Sequence, residues 1–184
     1  MIFHTSSLFF VALLNGLLFQ QSLADSRLVV RAKDADTYCF ILPKSRMTIG
    51  ESENGSNDLV NSWCTQPYDG QWQLPNDFWT NGPHFVEKRY NDGNLRYKQI
   101  TGCINANKLP TLVPGDGGGQ YDSNGGDGGR GNPRDSSCRG FASYVELVEP
   151  DVGRICIRCC KDPNDCPLHM DTSGCPAVIP GQYC

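Results

Sequence analysis

Residues 154–184 read RICIRCCKDPNDCPLHMDTSGCPAVIPGQYC, and this stretch decides how the chain must be built. It holds six of the ten cysteines: Cys156, Cys159, Cys160, Cys166, Cys175 and Cys184. Pro163, Pro167, Pro176 and Pro180 interrupt them, and proline neither donates to a ladder nor continues a helix. Such a segment has no core of its own and must be cross-linked to what precedes it. If 155–160 is extended, Cys159 and Cys160 point to opposite faces. They are then expected in two different bridges, one on each side of a sheet.

Upstream lie the strands that the tail needs. Residues 142–148 (ASYVELV), the turn EPDVG and residues 154–159 read as a hairpin. A second hairpin is clearer. Residues 84–90 and 95–100 alternate apolar and polar positions around Asn91-Asp92-Gly93-Asn94, residues that tolerate positive φ. Residues 37–42 (TYCFIL) form a short strand ended by Pro43. Residues 46–49 suggest another strand, and 58–63 a single helical turn before Cys64. Residues 114–133 hold nine of the twenty glycines, a long loop that is either mobile or clamped by something specific. The predicted fold is all-β: a small, disulfide-stapled antiparallel sandwich or barrel with a long Gly-rich loop and an irregular Cys-rich tail.

The 184 residues carry net charge -4, with a pI near 5.3 and mean hydropathy -0.41. Residues 8–19 form an apolar run too short to span a bilayer, which takes ~20 residues. With Ser22-Leu23-Ala24 behind it, the run reads as a signal peptide over 1–24, leaving one domain over 25–184. In an oxidising compartment all ten cysteines are expected in disulfides: Cys39, Cys64, Cys103, Cys138 and the six of the tail. Their pairing is open. An acidic chain without a basic stripe argues against nucleic acid and anionic membranes. A secreted monomer without cofactor is expected. Asn54-Gly55-Ser56 is an N-glycosylation acceptor.

Three stretches carry a resemblance: GGGQYDSNGG (117–126), CRGFASYVELVEP (138–150) and CIRCC (156–160). Residues 50–65 and 165–184 extend it. Together they resemble small secreted cysteine-rich proteins of fungi, mainly basidiomycetes, over most of the mature chain. The resemblance brings no catalytic or ligand residues. It implies secretion and, in a plant-associated fungus, an effector role toward a host protein, extracellular or intracellular, or toward cell-wall polysaccharide.

Four chemistries compete for these residues. Cys156, Cys159, Cys160, Cys166 and His169 have zinc-like spacing, but an oxidising compartment favours disulfides. Asp116, Asp122 and Asp127 place carboxylates in the glycine loop, without the later glutamate of an EF-hand. Trp63, Tyr68, Trp72 and Trp79, interleaved with Gln66, Gln71, Gln73 and Asn76, supply stacking faces and amides for a sugar or a protein partner. The competing reading is that these rings cover an open sheet face. Hydrolysis lacks a nucleophile elbow. Glu146 and Glu149 would face opposite sides of a strand, and Glu87 would meet Glu146 only through the fold. Binding without catalysis is the expected function, with a carbohydrate-binding or glycoside-cleaving protein as the alternative.

Overall fold

The computed structural model describes residues 28–53, 56–170 and 172–184; the signal segment 1–24 and Asn54 lie outside them. Ten strands follow in chain order. They are β1 (Val29–Ala32), β2 (Tyr38–Pro43), β3 (Val60–Cys64), β4 (Trp72–Gln73) and β5 (Trp79–Arg89), then β6 (Leu95–Ile104), β7 (Gly119–Asp122), β8 (Ser137–Cys138), β9 (Ser143–Glu149) and β10 (Arg154–Cys160). Two short helices, α1 (Ile49–Glu53) and α2 (Cys175–Val178), complete it. The strands form two five-stranded sheets, β4-β3-β2-β1-β8 and β5-β6-β10-β9-β7. One buried cluster drawn from both sheets fills the space between them, so the fold is a sandwich. Pairing is antiparallel except for β1–β8 and β3–β4.

Both expected hairpins form, β5–β6 and β9–β10. The first begins earlier than its alternation suggests, at Trp79, because bulged register shifts carry β5 past Gly82. Two local expectations fail. Residues 46–49 are not a strand: α1 starts there, and Thr48 and Glu51 cap it reciprocally. The Glu51 carboxylate accepts from Thr48 N at 2.8 Å while Thr48 Oγ1 accepts from Glu51 N at 3.2 Å, a capping box. The helical turn expected at 58–63 is confined to a 3-10 turn, Asn57–Leu59, and 60–64 is β3.

Parity along the second sheet explains the disulfides. Tyr144, Glu146, Val148, Ile155, Ile157 and Cys159 face inward, whereas Val145, Leu147, Cys156 and Cys160 face outward beneath the tail. Cys138–Cys159 therefore joins the two sheets through the core, and Cys39–Cys64 staples β2 to β3. The tail cysteines each return to the outer face, as Cys160–Cys166, Cys156–Cys175 and Cys103–Cys184. Cys159 and Cys160 thus enter different bridges on opposite faces, as their spacing requires. Among the tail's polar anchors, Gln99 Nε2 donates to Pro180 O at 2.9 Å, and Cys175 N donates to the Glu149 carboxylate at 3.0 Å.

The glycine loop is clamped by carboxylates of the chain itself. Asp116 accepts from Ile49 N (2.7 Å) and Gly118 N (3.2 Å), tying the loop to α1. Asp122 accepts from Asn124 N at 2.8 Å and from Gly125 N. A Cβ at Gly125 would come 2.5 Å from that carboxylate. Between the two clamps the loop runs as β7, an edge strand on β9 that the glycine content hides.

Candidate functional site

The four aromatic residues singled out in the sequence do not share one platform. Trp63 is buried, and its Nε1 donates to Leu42 O at 3.3 Å. Trp72 stands edge-on to it, with centroids 5.0 Å apart, and is 38% exposed. Trp79 is half-buried against Phe40 and Phe78, and its Nε1 donates to Tyr38 OH at 2.6 Å. Gly102 lies beneath Trp79, where an added Cβ would come 2.8 Å from the ring. Trp63 thus belongs to the core, and Trp79 packs against it. One flank of Trp79 lines a groove of about 410 Å³ with Tyr38, Gln73 and Asn76. The Gln73 amide is spent there, donating to Thr65 O (3.2 Å) and Leu74 O (3.0 Å).

Tyr68 is different. It is 47% exposed, the guanidinium of Arg139 lies 5.1 Å from its ring centroid, and both line a cleft of about 450 Å³. Gln71 shapes the approach: its Oε1 accepts from Tyr68 N (2.8 Å) and Asp69 N (2.7 Å), closing a tight turn. Gln71 and Phe141 line the same cleft. A ring, an amide and a guanidinium thus converge at the edge of the first sheet, where β8 runs into Arg139.

The carboxylates do not converge. Glu146 is fully buried, its Oε2 accepting from Ile41 N at 3.1 Å and its Oε1 without a partner. Burial holds its acid well above the ordinary carboxylate range. Glu87 sits three strands away in the same sheet, roughly 14 Å at ~4.8 Å per strand. That is beyond the ~9.5 Å limit of a glycosidase pair. Hydrogen bonds from Lys98 and Arg89 hold the Glu87 carboxyl below its usual range. Glu149 turns outward to Arg154 and Cys175.

For cations, Asp116 and Asp122 are occupied by backbone N–H groups, and the Asp127 side chain lies outside the described residues. All ten cysteines are in disulfides, so the zinc spacing at Cys156, Cys159, Cys160 and Cys166 presents no thiolates. No three His, Cys, Asp or Glu side chains among the described residues come together.

The residues missed in the sequence are Arg139 and Phe141. Nothing local marks them; they reach the cleft because Cys138–Cys159 fixes the start of that segment against β10. Among the described residues no helix is long and apolar enough to cross a membrane. No family model, curated protein or solved structure matches this chain.

Proposed function

We propose that this is a secreted, non-catalytic binding protein of the fungal small cysteine-rich type, acting at the cell-wall interface with polysaccharide as its ligand. The observation that carries the reading is the Tyr68 cleft. There an exposed ring, the side chain of Gln71 and an arginine line one concave site, the combination that stacks a sugar and bonds its hydroxyls. Five disulfides with no free thiol support an oxidising, extracellular setting. The scattered carboxylates and oxidised cysteines support binding over catalysis. A signal peptide removed after Ala24 and a glycan on Asn54 belong to the same proposal.

Retention of the purified, oxidised protein on insoluble chitin, β-glucan and pectin tests it. Tyr68→Ala is expected to weaken retention by about tenfold, the scale of one lost stacking contact. Trp79→Ala is unsuitable, because it would remove a ring packed against the core. Retention unchanged in Tyr68→Ala would move the site elsewhere. A host protein bound with no response to any sugar would replace this reading with the protein-directed effector.

A further inference from the structure

Arg139, Gly140 and Phe141 also line a second cavity of about 370 Å³, completed by Arg31, Lys33, Lys98 and Lys161. Five cationic side chains and no carboxylate line it, in a chain whose net charge is -4. With those five set aside, the rest of the chain stands at -9. Lys98 is held by Lys33 O (2.9 Å) and Glu87 (3.1 Å), and Lys33 is 3.8 Å from the exposed Asp34. Among the described residues Arg31, Arg139 and Lys161 form no ion pair. Lys161 is positioned by the chain: its Nζ donates to Gly140 O at 2.8 Å and lies 5.2 Å from the Phe141 centroid.

We propose that the two adjoining clefts together bind a short oligouronide, its rings on Tyr68 and Phe141 and its carboxylates against Arg139, Arg31 and Lys161. This rests on the carbohydrate reading and specifies its chemistry. Arginine offers a carboxylate two parallel donors in a fixed plane, the geometry that an acidic sugar presents and a neutral one does not. Both cavities are of ligand size, about 450 and 370 Å³, and adjoin at Arg139, Gly140 and Phe141; the one acidic residue in their linings is Asp69, beside Tyr68. A long polyanion such as nucleic acid would run from this patch onto a surface of opposite preference; a short oligomer would not.

The probes are tetragalacturonate, its full methyl ester (the same rings without charge) and cellotetraose, titrated calorimetrically into the purified, oxidised protein. Tetragalacturonate is expected to bind at least about tenfold more tightly than the ester, with the gap closing between about 50 and 500 mM salt. Arg139→Gln should weaken the acid about tenfold or more and leave the ester nearly unchanged. Lys161→Gln is the second variant should Arg139→Gln misfold. Lys44→Gln, a lysine that lines neither cavity, should change nothing. Equal binding of acid and ester, untouched by Arg139→Gln, overturns the uronide inference while leaving the carbohydrate reading standing. So does silence toward all three probes by a protein still retained on chitin or β-glucan. Loss of both, with no retention on any polysaccharide, sinks the two together.

Discussion

Glu146 is the residue whose environment has the plainest thermodynamic consequence. It lies between the sheets, fully buried, with one oxygen on Ile41 N and Tyr121 and Tyr144 nearby. Burial raises its folded-state pKa, so the folded chain keeps a proton that the unfolded chain releases near the ordinary 4.5. The stability linked to this proton is fully present below about pH 4.5 and is lost as pH rises toward the folded-state value. Over that window the slope is about 1.4 kcal/mol per pH unit. Glu146→Gln, uncharged throughout, should therefore be less pH-dependent and more stable than the parent at pH 8. Urea midpoints at pH 4.5 and 8 check this; parallel declines in parent and variant would show that another group is responsible. The sequence gives the opposite facing of Glu146 and Glu149 through strand parity. It gives no sign that the inner one is sealed, because its partner Ile41 lies 105 residues earlier in the chain.

At the scale of elements, local patterning was legible and its reach was not. The two hairpins follow from alternation and turn residues, and Cys159 and Cys160 separate by parity alone. The Thr48–Glu51 capping box was also present in the letters, yet residues 46–49, which overlap it, read equally well as a short strand. β7 and β8 escape notice because their pairing is set by distant strands, not by composition. The tail depends on three bridges to the outer face. Replacing Cys103 and Cys184 together with serine should cost about 2–4 kcal/mol and free the residues around Tyr183. Replacing Cys138 and Cys159 should cost more, since it also opens a gap between the sheets. Thermal melts rank the two. Equal losses would mean that the inter-sheet bridge carries no packing component.

For the whole molecule, the sandwich class and the cysteine staples were legible, whereas the cleft was not. Its cations come from residues 31, 33, 98, 139 and 161, and only the pairing of strands and disulfides assembles them. Spacing leaves that pairing open, since ten cysteines admit many connectivities. Five disulfides staple the sandwich, and unfolding under mild reductant is expected, followed by tryptophan fluorescence. Retention of the tertiary signal after full reduction would show that the apolar core suffices alone.

The bridges have a further effect on a cut chain. Cys103–Cys184 closes a loop of sequence separation 81, and the glycine loop and the tail lie inside it. A peptide bond broken anywhere in that span leaves two pieces still covalently joined. Only residues 65–102, between Cys64 and Cys103, connect the two halves by a single strand of chain. Surrounded by proteases, a molecule nicked in its glycine loop would weigh one water more than an intact one and come apart only when a reductant arrived.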